Sequence, residues 1–228
     1  MMTYEASEAA AFRYRLLTSP GERQGVEYKA SMAFTGTDSF SLKLIRNIQG
    51  MANADGGWFV IGYREHPNGQ LGPDPNHGDV VCNSYEPTNL AKQVNSTIQR
   101  GQQIRLSVYF ELHPSTGLRY PIISVEGFER TPYVCRSSQK ASDTSEDILR
   151  QGAVYLRRPT SEASEVSTSQ DWEELISLAV KKRRDEFLAE FGDLFERMSS
   201  PKSPSVSAIE QFESWAAGMR RRALAKSD

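Results

Sequence analysis

The stretch GERQGVEYK, residues 21–29, sets Glu22, Glu27 and Lys29 within eight positions of one another. Carboxylates brought to one point can hold Mg2+ or Mn2+ through hard oxygen ligands, and a metal so held promotes phosphodiester hydrolysis. A lysine beside them can orient water or neutralise charge that develops on phosphate. In an extended chain Glu27 and Lys29 point to one face, with Val26 and Tyr28 on the other. Glu65 offers a third carboxylate, at the end of GWFVIGYRE, where a neighbouring strand would leave the sheet. On spacing alone two readings stand: a metal site of Glu22, Glu27 and Glu65 with Lys29 beside it, or ordinary charge on an edge strand.

The elements that must position these residues are legible in outline. Residues 1–20 predict a helical lead-in closed by the turn signal TSPG, and residues 25–30 a short strand. In SFSLKLIRNIQGMANAD, Leu42, Ile45, Ile48 and Met51 or Ala52 share one helical face, and the pair Gly56 and Gly57 predicts the stop. GWFVIGY reads as a buried strand that should lie beside the first one across this helix. The run REHPNGQLGPDPNHGD, dense in Gly, Pro, Asn and Asp, predicts a loop outside the core. EPTNLAKQVNSTIQR predicts a helix with Pro87 in its first turn, and IRLSVYFELH with RYPIISVEGF, joined at PSTG, predicts a hairpin.

Further on, TPYVC is a candidate short strand, RSSQKASDTSEDILRQG a loop and AVYLRRP a last strand. A long amphipathic helix is expected over TSQDWEELISLAVKKRRDEFLAEFGDLFERM, opened by a capping box of Thr168 and Asp171. After the linker SSPKSPSVS, Ser207 and Glu210 cap a terminal helix that presents Ile209, Phe212, Trp215, Ala216 and Met219 to a partner surface.

Composition narrows the function classes. A chain of 228 residues, 38% hydrophobic, is long enough for one large domain or a domain with an appendage. A formal charge of -2 argues against a uniformly basic nucleic-acid binder, and residues 161–198 carry 10 acids against 5 bases, so any basic surface must be local. Cys82 and Cys135 lack metal spacing and fit a reducing cytoplasm. No apolar run is long enough to span a bilayer, which predicts a soluble cytoplasmic protein without a membrane partner. NADGG lacks the Lys-Ser/Thr of a phosphate loop and reads as a helix stop. His66 either joins the site beside Glu65 or sits exposed in a loop. The basic run 181–184 reads as a solvated helix face, whereas Arg157 and Arg158, ending AVYLRRP, are candidates for phosphate contact.

The order of the blocks carries a resemblance. GVEYKAS, a helix ending MANADGG and then WFVIGYRE are similar to the AlbA-like domain of Schlafen proteins and their bacterial relatives. That family has a glutamate, four residues, Glu-Phe-Lys, a helix ending Ala-Asn-x-x-Gly-Gly and a strand ending Ile-Gly-Val. The resemblance covers residues 22–159 and includes GAVYLRRPTSEAS, similar to the family's closing Tyr-x-Arg segment. It implies an α+β fold, a mixed, largely antiparallel sheet backed by helices with a C-terminal helical extension. The segments would be a lead-in over 1–20, the AlbA-like domain over 21–165, the amphipathic helix over 166–198, and linker with terminal helix over 199–228.

In the Schlafen branch that cleaves transfer and ribosomal RNA, three carboxylates form the metal site, and the matching positions here are Glu22, Glu27 and Glu65. Glu65 stands where those ribonucleases have aspartate, and Arg64 where an acid is usual. The resemblance therefore implies a nucleic-acid-binding protein that acts as a defence-type or regulatory endoribonuclease on tRNA or other folded RNA, with Mg2+ or Mn2+ as cofactor. Glu22, Glu27, Lys29 and Glu65 would be catalytic, and Lys29, Arg64, Arg157 and Arg158 would contact nucleic acid, RNA ahead of DNA. The alternatives are a non-catalytic DNA- or RNA-binding regulatory module, or a protein-interaction subunit whose site has decayed. Longer Schlafen proteins join two such lobes, and a homodimer through the C-terminal helices would restore the pair.

Overall fold

The computed structural model describes residues 2–21, 23, 25–158 and 162–199. Glu22 and the terminal helix expected from Ser207 onward lie outside the described residues. The chain divides into two units, Met1–Ala179 and Val180–Asp228.

The first unit is built on a four-stranded sheet in the order β1-β2-β6-β5. Strand β1 (Val26–Lys29) runs parallel to β2 (Gly56–Ile61), with Glu27 opposite Phe59. Parallel neighbours need a crossover, and α2 (Ser39–Asn53) supplies it. Asp38 starts that helix by accepting the Ser41 N–H at 2.6 Å. The predicted hairpin of β5 (Leu106–Leu112) and β6 (Arg119–Glu126) forms, and β6 pairs antiparallel with β2. The sheet is therefore mixed and largely antiparallel, and the fold is α+β, as expected.

Two faces of the sheet bury two apolar layers. Leu16 and Leu17 of α1 (Met2–Thr18) pack with Val26, Tyr28, Val60, Tyr63, Tyr120 and Ile122. On the other side Phe59, Ile61, Ile123 and Val125 meet Leu42, Ile45 and Ile48 of α2 and Leu90 and Val94 of α4 (Pro87–Ser96). Pro87 opens α4 as predicted, and Glu86 caps it by accepting the Thr88 and Asn89 N–H groups at 2.9 and 2.6 Å.

Several segments differ from the sequence expectation. Helix α2 stops before the glycine pair: Ala54 is its C-cap and Asp55 takes the positive φ of 91°, so Gly56 and Gly57 belong to the start of β2. The supposed loop after β2 contains a second small sheet, β3 (Tyr63–Glu65) with β4 (Leu71–Pro73), and then the short α3 (Asp79–Ser84). The polar run after Cys135 holds another hairpin, β7 (Gln139–Lys140) with β8 (Asp147–Leu149). TPYVC contributes only a single bridge, Cys135 to Ile98. The last strand is short, β9 (Tyr155–Leu156), paired with β10 (Ser164–Glu165).

Helix α5 (Ser169–Ser199) begins in the first unit, where Leu175 is buried in the core. Its start is the capping box the sequence announces: the Asp171 carboxylate accepts the Thr168 N–H at 3.0 Å, and the Thr168 hydroxyl accepts the Asp171 N–H at 3.2 Å. The second unit continues α5, where the Phe187 and Phe191 rings stack at 5.9 Å. No helix among the described residues is long and apolar enough to cross a membrane.

Candidate nucleic-acid interface

The pleat of β1 sends Glu27 and Lys29 to the α2 face, as their spacing predicts, while Val26 and Tyr28 join the α1 layer. Glu27 is only 4% exposed. A buried carboxylate is stable only with charge and hydrogen-bond partners, and three groups supply them. Its Oε1 lies 2.7 Å from Lys29 Nζ and accepts from Asn47 Nδ2 at 3.3 Å; its Oε2 lies 2.9 Å from Arg157 Nε. The Arg157 contact is a meeting of charges without hydrogen-bond alignment. Glu162 extends the cluster, 3.2 Å from Lys29 Nζ and 3.3 Å from Arg46. Three cations, Lys29, Arg46 and Arg157, thus surround two carboxylates.

Electrostatics fix the role of Lys29. Burial acts to lower its pKa, but Glu27 and Glu162 outweigh that and raise it, so the side chain is an ammonium and not a base at neutral pH. Burial acts to raise the Glu162 carboxyl, and the neighbouring Lys29, then Arg46, hold it below the usual carboxylate range. Arg158 turns elsewhere: it donates to Asp171 at 2.5 Å, with 46% of its side chain exposed.

What brings Arg157 to β1 is the row Asn47, Gly50 and Asn53 on α2. The Gly50 carbonyl accepts the Arg157 N–H at 3.2 Å, and a Cβ at this glycine would collide with Ala163. Asn47 accepts the Ala163 N–H at 3.1 Å while donating to Glu27. Asn53 donates to the Tyr133 and Tyr155 carbonyls at 3.0 and 2.9 Å. Arg157 and Ala163 are thereby held against α2, and the Arg157 guanidinium reaches the free side of β1, donating to the Val26 carbonyl at 3.4 Å. Beside it a cleft of about 230 Å3 opens, lined by Arg157, Arg158, Met51 and the turns at Gly25 and Ala54 to Gly56.

Of the sequence candidates, Glu27, Lys29 and Arg157 come together, and Arg158 shares the cleft with Arg157. Glu65 and Arg64 lie exposed on β3, in the separate small sheet beyond Gly62. His66 is half-buried at the turn of that hairpin, where its N–H donates to the Gln70 carbonyl. Among the described residues no group of three or more His, Cys, Asp or Glu side chains could hold a metal ion. Arg46, Asn47, Gly50 and Glu162 escaped the sequence reading. The spacing of Asn47, Gly50 and Asn53, three apart along one side of α2, is the signal that could have found these residues.

A further polar group closes the far end of β1. His77 Nε2 donates to the Arg119 carbonyl at 2.7 Å, which leaves Nδ1 to accept from the Ser31 hydroxyl at 3.0 Å. The ring is stacked on Tyr120 at 4.1 Å and lies over Gly62, where any Cβ would strike it.

No protein-family model and no curated protein matches this sequence. Among solved structures, the solution NMR structure of the N-terminal domain of a helicase RecG-related protein from Nitrosomonas europaea matches with 16% identity and a TM-score of 0.37, over 70% of this chain and 95% of that domain.

Proposed function

We propose that the chain binds nucleic acid through the β1 side of its sheet, with Lys29, Arg46, Arg157 and Arg158 as the cations that meet phosphate. The observation that carries this reading is the cleft beside β1: Glu27 is buried between Lys29 and Arg157, and two guanidiniums, Arg157 and the half-exposed Arg158, line the opening. Such groups contact the phosphate backbone irrespective of sequence. In a chain of net charge -2 this is the local basic surface that nucleic-acid binding requires. RNA ahead of DNA, and a homodimer that doubles the surface, belong to the same reading.

The finer activity that the Schlafen resemblance implies, metal-dependent cleavage of tRNA or other folded RNA, asks for donors to Mg2+ or Mn2+. Of its three expected carboxylates, Glu27 has both oxygens facing cations, Glu65 stands in a different sheet, and Glu22 lies outside the described residues. Binding is the activity this arrangement supports best, and cleavage rests on the test below.

The test is fluorescence anisotropy with tRNA, single-stranded RNA and duplex DNA across a salt series. Arg158→Gln should weaken binding to all of them and flatten the log–log salt slope by about 0.7–0.9, the contribution of one phosphate contact. Absence of binding to every probe at low salt would remove the proposal. The same samples incubated with Mn2+, with and without chelator, test cleavage; chelator-sensitive cutting would restore the endoribonuclease.

A further inference from the structure

We propose that the cleft beside β1 is a pocket for a terminal phosphate, the monoester at the end of a nucleic-acid strand. The proposal rests on the nucleic-acid reading above and names what that site would select. Arg157 lines the cleft, and its side chain is only 8% exposed. A guanidinium carries five N–H donors. Arg157 Nε lies 2.9 Å from the Glu27 carboxylate without hydrogen-bond alignment, and the terminal nitrogens make only a long bond to the Val26 carbonyl, 3.4 Å, and a contact of 3.9 Å to Met51 Sδ. Buried polar groups are as a rule satisfied, so the terminal N–H groups of this guanidinium, weakly bonded beside an open cleft, have room for a further strong acceptor. A phosphate offers several charged oxygens in the geometry that a guanidinium fork matches.

Depth distinguishes the kind of phosphate. An internal phosphodiester carries a nucleotide on each side, and both would have to enter with it to reach a side chain so little exposed. A terminal monoester projects alone and carries a charge of about -1.5 to -2. Arg158, half-exposed and lining the same cleft, would meet it with the N–H groups not given to Asp171. The exposed Asp55 also lines the cleft and opposes an anion, which makes both guanidiniums necessary.

The experiment compares one short single-stranded RNA with hydroxyl ends, with a 5′-phosphate and with a 3′-phosphate, and uses inorganic phosphate as competitor. One phosphorylated end should bind at least about tenfold tighter than the hydroxyl-ended strand, the effect of about 1.4 kcal/mol, and inorganic phosphate should erase that increment alone. Ala54→Leu, which fills the cleft without touching a charge, should abolish the increment and retain hydroxyl-ended binding, whereas Arg157→Lys, which keeps a cation against Glu27, should abolish the increment and weaken hydroxyl-ended binding as well. Thermal unfolding confirms that each variant is folded. Equal affinity for all three strands, or an increment that survives in both folded variants, overturns the terminal-phosphate pocket and leaves nucleic-acid binding standing. No binding of any strand overturns both.

Discussion

Glu27 is a structural charge before it is anything else. It is held between Lys29 and Arg157 in a buried site, and removing one partner of such a group strands the others. Glu27→Gln should therefore destabilise the fold by about 3–5 kcal/mol, the usual cost of breaking a buried ion pair from one side, measured by urea unfolding. A loss of binding in this variant would have to be read against that loss of stability. Acid should act through the same kind of group. Glu162, Asp74 and Asp171 all have lowered pKa values: in Glu162 burial opposes the shift and Lys29 and Arg46 prevail; in Asp74 burial is overcome by the Asn76 and Ser31 N–H groups; in Asp171 the Thr168 and Ser167 N–H groups lead. A folded pKa below the unfolded one means their stabilisation is complete above the unfolded value, about 4, and disappears as pH falls through the lower folded values. The urea midpoint should thus hold near neutrality and drop below about pH 4. For Lys29, whose pKa is raised, the contribution is present below 10.5 and is lost only in more alkaline solution.

At the scale of elements, the glycine of α2 decides whether the cluster can form. A methyl group at Gly50 would meet Ala163 and the Arg157 backbone nitrogen, 3.2 Å away. Gly50→Ala should cost about 1–3 kcal/mol despite alanine's higher helix propensity, because overpacking outweighs propensity here. The readout is a lowered denaturation midpoint with unchanged m-value. What the sequence revealed follows from the range of its signals. Helices α1, α2, α4 and α5 and the β5–β6 hairpin were legible because 3.6- and 2-residue periods are local, and the Glu27–Lys29 pairing because alternation is too. The small sheet of β3 and β4 was hidden because three-residue strands flanked by Gly and Pro carry no periodicity. The stop of α2 at Asp55 was masked by the stronger expectation of glycine in that conformation. Arg157 was identified as a cation, but its partner lay beyond reach of any local rule: the side chain meets Val26, 131 residues away in sequence.

For the whole molecule, the open matter is a second copy. Trp172 and Ile176 on α5 are 46% and 57% exposed, four residues apart on one side of the helix. If that side is where two chains meet, light scattering should give twice the chain mass of 25.6 kDa, and Ile176→Lys should return the monomer without lowering the denaturation midpoint of the first unit. A monomer in the unmodified protein at all concentrations would exclude the homodimer.

The docking of Tyr155, Arg157 and Ala163 on α2 also has a temporal meaning. β1 leaves the ribosome before the cation that completes its charge cluster, which emerges some hundred and thirty residues later. Until then Glu27 has only Lys29 and Asn47, and the Gly50 seat is empty of its guest. Contacts of such long sequence separation require loop closure before any reward, and they slow folding. The nascent chain must therefore wait, with α2 partly uncovered, for its own late segment. A chain cut before Tyr155 should remain a substrate for chaperones and proteases, and the intact protein should refold with its slowest phase at the formation of the Glu27–Arg157 pair.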